Sequence, residues 1–470
     1  MLTTGLSEPA REDLCADAVV WASQHGLVYG AGRADLPAAL VHAPLAVFPV
    51  AYPKASYVKA QAAMPIFNLL IDRISRDSAY LQQTLAPAAE FDDFTANLLR
   101  IHQETLSLRE TRADKQLTLG LHRSDYMLDE LSNTLLQVEL NTIASSFGCL
   151  STLMTQLHHY ILQRAGCSDQ EVQRLPHNQV TADLTSAMAA AVKAFKVNDA
   201  VMVMVVQPND NNSYDQQWLQ TVLWEKHRVR TLRCTLTQIA KEAELHESSG
   251  RLTIWGRTVA VAYLRAGYAP EHYPTAVEWQ GRKMLEQSNA ALCPSVAYQL
   301  TGAKKIQQDL AAGNTLERFL SADEAKLMRK CFAGLWSLDN LEDPETKKVL
   351  KEVREHPERF VLKPQREGGG NNLYGQAILD RLKDPKGLAA FILMQRIRPP
   401  INRCLMIREG SSFEVDSLSE LGIFGAFLSQ GSEVLINKQA GHLVRTKAAS
   451  SDEGGVAAGF AVLDSPSLQD

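Results

Sequence analysis

Residues 363–375 read KPQREGGGNNLYG, and the rest of the chain is organised around that stretch. Three adjacent glycines sit among cations, a carboxylate and two side-chain amides, a composition suited to polyphosphate held together with a metal ion. Glycine lets backbone N–H groups approach an anion closely, Lys363 and Arg366 add positive charge, and Glu367 can take a hard cation. RFVL at 359–362 reads as a short strand and FILMQRI at 391–397 as another, so the loop is a flap near two strands. It has no GKS or GKT ending and no G-x-G-x-x-G spacing, and neither the P-loop nor the Rossmann fingerprint applies. Taken alone, the stretch also fits a flexible surface loop.

A chain of 470 residues is too long for one simple domain, and two or three lobes are expected. With 45% hydrophobic and 21% charged residues it has the make-up of a soluble globular protein. A net charge of −5 and a pI near 6.2 leave no electrostatic footprint for nucleic acid. The seven cysteines are odd in number, scattered, and never spaced C-x-x-C, which argues against a disulfide framework or structural zinc and for a reducing compartment. The N-terminus lacks a basic region followed by an apolar core, acidic residues appear by Glu8, and apolar runs such as 200–206 are far below membrane-spanning length. The expected location is cytoplasmic, without membrane or nucleic-acid partners.

Apolar spacing predicts a helix from Ser7 to Gly26 and two long amphipathic helices over 58–85 and 92–108. QLTLGLHRSDYM at 116–127 turns from an apolar strand into a cluster holding His122, Arg123, Asp125 and Tyr126, either a site at a strand end or an exposed turn. Its HRSD differs in context from the kinase H-R-D loop: it precedes the glycine loop, and no DFG follows. LLQVEL at 135–140 is a second strand. Glu139 and Asn141 fall on one face of it, where a carboxylate and an amide oxygen can share a cation or simply meet water. ASSFG at 144–148 suits a close ligand approach. The helix over 153–165 carries His158 and His159 without H-E-x-x-H spacing, and these are read as non-catalytic.

From 184 onward helix and strand alternate, predicting a small parallel-sheet lobe with a polar loop, QPNDNNS, at 207–213. A hairpin about Gly256 follows and ends in RAGY at 265–268, whose Arg265 is a carboxylate clamp or a surface ion pair. Lys304 and Lys305 lie near a helix start, and 316–354 reads as helical with a break at 340–344. SELGIFG at 419–425 places Glu420 by an apolar strand. GHLVRTKAASSDEGGVAAG at 441–459 joins Arg445 and Lys447, two apart, to a second glycine-rich loop, read as a site because apolar residues alternate with its glycines.

With LHRSDYM, ELNTIASSFG, LRAGY, QLTGAKKIQQ, FVLKPQREGGGNNLYG, SELGIFG and GHLVRTKA…DEGGVAAG in order and at matching spacing, nearly the whole chain resembles the eukaryotic-type glutathione synthetases. The resemblance implies an α/β (α+β) ATP-grasp fold with a glycine-rich lid and a smaller inserted parallel-sheet substrate lobe. Expected divisions are a body part over 1–183, the inserted lobe over 184–303, and an ATP-binding part over 304–470 with its lid at 363–375 and C-terminal glycine-rich loop at 450–460. Members are usually homodimers. The implied reaction joins γ-glutamylcysteine to glycine with ATP through an acyl phosphate, chemistry that needs positioning and charge neutralisation more than a strong base.

Matched residue by residue, the resemblance makes Glu139, Asn141 and Glu367 ligands of two Mg²⁺ ions. It assigns ATP contacts to Glu139, Lys304, Lys363, Gln365, Glu367, Gly368, Gly369, Gly370, Asn371, Asn372, Tyr374, Met394, Gln395, Arg396, Ile397, Glu420 and Lys447. Substrate contacts fall to Arg123, Ser145, Ser146, Gln216, Arg265, Tyr268, Arg445, Val456 and Ala457. Arg123, Gly369, Gly370 and Arg445 are the catalytic expectations, Arg123 stabilising charge at the transferring carboxylate and the glycines letting loops close. Ala144, Ala266 and Gln395 depart from the serine, aspartate and glutamate usual in animal members, which puts the dipeptide and adenine contacts in doubt. Val456 and Ala457 favour glycine over β-alanine as acceptor. A ligase with another acceptor and an ATP-binding homologue without turnover are the competing readings.

Overall fold

The computed structural model of the chain describes all residues except 1–5, 33–38, 113–114, 209, 211, 365–370, 452–453 and 458. One sheet of 13 strands forms its backbone among the described residues. At its centre Leu117–Asp129 pairs antiparallel with Ser411–Gln430 on one edge and with Thr134–Asn141 on the other. Ser411–Gln430 continues into Glu433–Ala448, and that strand into Ala461–Asp464.

The sheet then changes character. Ala291–Cys293 pairs parallel with Leu117–Asp129 and with Arg257–Leu264, which pairs parallel with Val201–Val205, and that with Thr231–Cys234. The predicted helix–strand alternation is therefore present, and its parallel strands extend the larger sheet edge to edge. The helices Lys54–Ser75 and Val180–Ala194 both pack on Ser411–Gln430 and Glu433–Ala448, which is why 421–429 is a continuous buried run in place of an alternating one. Gly425 is required there: a Cβ would lie 2.4 Å from Asn68 Oδ1 and 2.6 Å from Met64 Cε.

A second, four-stranded antiparallel sheet runs in the order Leu335–Ser337, Phe391–Gln395, Phe360–Pro364, Leu373–Tyr374. Its own core of Leu338, Val349, Leu350, Val353, Phe360, Leu362 and Leu393 is separate from the main one. The strands predicted at 359–362 and 391–397 are thus neighbours, as Phe360–Pro364 and Phe391–Gln395.

Three readings are corrected. The apolar run over 58–85 is two helices, Lys54–Ser75 and Ser78–Ala89, because Asp77 caps the second by accepting the Tyr80 N–H at 3.0 Å. Within 316–354, Leu335–Ser337 is a strand, claimed from helix by pairing with Phe391–Gln395. The cluster His122 to Tyr126 lies inside a strand, not at its end or in an exposed turn, since Leu117–Asp129 is paired on both sides along it. Its polar members are buried.

Candidate active site

The two sheets face each other across a cleft of about 350 Å³. Of the residues singled out from the sequence, Arg123, Glu139, Asn141, Ser145, Ser146, Tyr268, Lys304, Lys363, Asn371, Asn372, Tyr374, Met394, Gln395, Arg396, Ile397, Glu420, Arg445, Lys447, Val456 and Ala457 line it. Gln216 and Arg265 do not, and sit in a buried network behind it. Gln365, Arg366, Glu367, Gly368, Gly369 and Gly370 lie outside the described residues.

Strand register builds the charged floor. Glu420 lies opposite Arg445, Gly422 opposite Asp125, Asp125 opposite Glu139, and Arg123 opposite Asn141. Arg123 grips Asp125 with two bonds, Nε to Oδ1 at 2.6 Å and Nη2 to Oδ2 at 2.8 Å. Arg445 Nη2 donates to Asp125 Oδ2 at 2.9 Å and also to Glu420 Oε1. Lys363 donates to the Val138 carbonyl at 3.3 Å.

These neighbours decide the charge states. Burial would raise the Glu139 carboxyl, yet Lys304, Arg445, Lys363 and Arg123 together hold it down to about 2. Glu420 goes the other way, pushed up by burial and by Asp125 and Glu139 against the pull of Arg445 and Arg123. Burial works against charge on Arg445, but Glu420, Asp125 and Glu139 hold its pKa above the ordinary arginine value. The floor is thus a cation-rich surface in which the Glu139 carboxylate is held ionised.

The second sheet supplies an apolar slot. Val361, Tyr374, Met394 and Ile397 line the cleft there, backed by the buried Leu136, Ala333, Leu335 and Ile392, and Arg396 lies 5.3 Å from the centre of the Tyr374 ring. A slot of this kind with cations at one end suits a purine base leading to phosphates. Gln395 Oε1 accepts the Gly334 N–H at 3.0 Å, a bond a glutamate would make equally well.

Opposite it, the loop 144–147 carries the substrate candidates. The Ser146 carbonyl accepts from Arg123 Nη1 at 3.1 Å, and Ser145 Oγ reaches the Asn141 carbonyl at 3.4 Å. Behind the loop, Arg265 pairs with buried Asp215 at 3.2 Å, so the ion pair it makes is a buried one and not the surface pair of the sequence reading. Gln216 donates to Asp210 at 2.6 Å and accepts from Arg233 at 2.9 Å. Burial raises the Tyr268 phenol, whose oxygen accepts from Gln207 at 3.0 Å.

Asp215 and Asp125 were not assigned roles from sequence. Asp215 offered one signal, an acid in the first turn of a helix after a polar loop. Asp125 was visible only as a member of its cluster. His158 and His159 lie outside the cleft lining; burial lowers the pKa of His158 to about 4, and its ring bonds to Ser465 Oγ and the Ala46 carbonyl.

Among the described residues no group of three His, Cys, Asp or Glu side chains could hold a metal ion. Glu139 and Asn141 do fit one as a pair. The first is ionised, and the second has its Nδ2 beside Asp125 Oδ2 at 2.9 Å, which leaves Oδ1 as the atom the amide can offer to a hard cation.

An antiparallel sheet closing with a larger sheet on a cation-rich cleft is the arrangement of an ATP-grasp fold. The family model described as eukaryotic glutathione synthase, ATP binding domain, matches residues 8–468, and the chain belongs to that family. It is 47% identical over 468 residues to the chloroplastic glutathione synthetase of Solanum lycopersicum, covering 97% of this chain and 84% of that one. To the glutathione synthetase of Homo sapiens it is 37% identical over 465 residues, covering 97% and 96%. The apo structure of a glutathione synthetase-like effector from Globodera pallida shares the fold, with a TM-score of 0.77 at 21% identity over 99% of this chain and 98% of that one.

Proposed function

We propose that the chain is a glutathione synthetase, joining glycine to γ-glutamylcysteine at the expense of ATP. The observation that carries this beyond the family is the floor of the cleft, where Arg123, Lys304, Lys363 and Arg445 all act on one ionised carboxylate, Glu139. Such a surface suits a reaction in which phosphate and carboxylate negative charge must be brought together.

In the proposed sequence the cysteinyl carboxylate oxygen attacks the γ-phosphorus of ATP, forming an acyl phosphate as ADP leaves. The glycine amine then attacks the acyl carbon, the amide bond forms, and phosphate departs with the amine proton lost to solvent or phosphate. Lys304, Lys363 and Lys447 hold phosphate oxygens, Arg123 faces the carboxylate oxygen that gains charge, and Arg445 holds a substrate carboxylate. Mg²⁺ held by Glu139 and Asn141, with Glu367 from the glycine loop, would neutralise phosphate charge and leave the γ-phosphorus open to attack. Met394, Tyr374 and Ile397 take the base. The glycines at 369 and 370 would close over the acyl phosphate and keep water out.

Val456 is buried and Ala457 exposed in the C-terminal loop, and these two are assigned to the acceptor pocket, favouring glycine over β-alanine. Divisions at 183/184 and 303/304 and a homodimer are proposed on the resemblance alone. None of the seven cysteines is paired, which supports a reducing compartment, proposed as the cytosol. No described helix is long and apolar enough to cross a membrane.

The test is ADP release by the purified protein with Mg²⁺, ATP and γ-glutamylcysteine, comparing glycine, β-alanine and no acceptor, with the product identified by mass. ADP with glutathione, formed only with glycine, is expected. Equal kcat/KM for β-alanine would move the acceptor assignment, and no ADP despite bound ATP would favour a homologue without turnover.

A further inference from the structure

Asp125 is wholly buried at the centre of the floor, between Glu139 on one neighbouring strand and Gly422 on the other. Its two oxygens receive both bonds of Arg123, the Nη2 of Arg445 at 2.9 Å and the Nδ2 of Asn141 at 2.9 Å. We infer that Asp125 is a positioning residue that holds both arginines and the Asn141 amide in one fixed relation.

The amide is the decisive part. Asn141 Nδ2 has acceptors around it, with Glu139 Oε1 and the Arg123 carbonyl each at 3.4 Å in addition to Asp125. An amide oxygen turned to that side would meet three other oxygens, so the flip is set and Oδ1 is presented away from them. A carboxylate is the one group of this size with acceptors alone. Asparagine at 125 keeps the volume but must put an NH₂ in place of one oxygen: at the Oδ1 place it faces Arg123 Nε and that bond is lost, and at the Oδ2 place it faces Arg123 Nη2, Arg445 Nη2 and Asn141 Nδ2 and all three are lost. The backbone has yielded space for this arrangement, because a Cβ on Gly422 would lie 2.6 Å from Asp125 Oδ1 and 2.8 Å from Arg123 Cδ.

The inference rests on the proposed function for what Arg123, Arg445 and Asn141 do. Its test is Asp125→Asn together with Gly422→Ala, which keeps every charge and displaces the carboxylate. Partners that orient a metal ligand typically matter by about 10- to 100-fold, and a rise of that size is expected in the Mg²⁺ needed for half-maximal binding of the β,γ-imido analogue of ATP, read by calorimetry. A fall in kcat of about the same size should accompany it, with circular dichroism unchanged. The binding readout is independent of turnover, so a wild-type chain that ligates nothing would overturn the proposed function and leave the positioning role measurable. An unchanged Mg²⁺ requirement in whichever of the two variants folds overturns the inference, whatever happens to kcat.

Discussion

Asp215 Oδ2 accepts the backbone N–H of Phe147 at 2.9 Å, and its Oδ1 accepts that of Cys149 at 3.0 Å. Phe147 and Ala144 stand at φ of 66° and 51°, conformations a non-glycine residue holds only when its surroundings insist. Asp215 supplies that insistence from another helix and neutralises Arg265 as well. In Asp215→Asn the buried arginine loses its counter-charge, and a loss of about 3–5 kcal/mol is expected. Urea melts should show a lower midpoint, and the KM for γ-glutamylcysteine should rise more than that for ATP because the loop 144–147 lines the side of the cleft proposed for the dipeptide. An unchanged midpoint would mean that the loop holds itself.

Lys304 and Lys305 are adjacent on one helix and serve different sides of it. Lys304 lines the cleft, whereas Lys305 is buried against the second sheet, donating to Ser337 Oγ at 2.9 Å and pairing with Asp339 at 2.5 Å. Lys304→Ala should therefore raise the KM for ATP and lower kcat with little change in melting temperature. Lys305→Ala should lower melting temperature first, by an amount reduced because Asp339 is one-third exposed and finds water, and its kinetic effect should appear through looser seating of the nucleotide sheet. If the two variants behaved alike, the division of labour would be wrong.

The sequence made the site more legible than the packing. Glu139 and Asn141, or Arg445 and Lys447, are two residues apart, and period-two geometry alone puts each pair on one face of a strand. The apolar runs around them announced their strands. What stayed hidden depends on partners distant in the chain. Asp125 bonds to Arg445, 320 residues away, and Asp215 to Phe147, 68 residues away, and no local pattern encodes either. The break at Asp77 was missed because apolar spacing continues across it, and the strand Leu335–Ser337 because three residues are too few for a period to show.

Met394 is buried in the apolar slot and also lines the cleft, so it touches whatever occupies the slot. Met394→Ala removes the proposed base contact without touching a charge. A loss near 1–2 kcal/mol of apolar contact corresponds to a rise in KM for ATP of about 5- to 30-fold, with the KM for γ-glutamylcysteine unchanged. Initial-rate kinetics with each substrate varied would check it. A larger effect on the dipeptide than on ATP would place the base elsewhere.

Stability against pH should be governed by buried histidines. Burial depresses His122 and His442 to about 3 and His102 and His158 to about 4, the His102 effect strengthened by Arg109. In the unfolded chain each takes a proton near the ordinary value of about 6.5, while the folded protein refuses it until far lower pH. Stability is therefore lost as pH falls from 6.5 towards 4, by at most about 1.4 kcal/mol per pH unit for each histidine. Asp464 opposes them: burial lifts it to about 7, so its folded form gains a proton that the unfolded form binds only near 3.8, and its contribution grows as pH falls through 7. Glu420, also lifted by burial, acts in the same sense as Asp464, and with four histidines against these two carboxyls the urea midpoint should still fall between pH 6.5 and pH 5. His122 isolates the cause, since both its ring nitrogens are buried with no partner among the described residues. His122→Leu should flatten the pH dependence by close to one proton and leave the midpoint at pH 8 equal or higher. Asp464→Asn should steepen it. If His122→Leu kept the wild-type slope, His122 would carry a proton inside the folded protein and the assignment of its charge would be wrong.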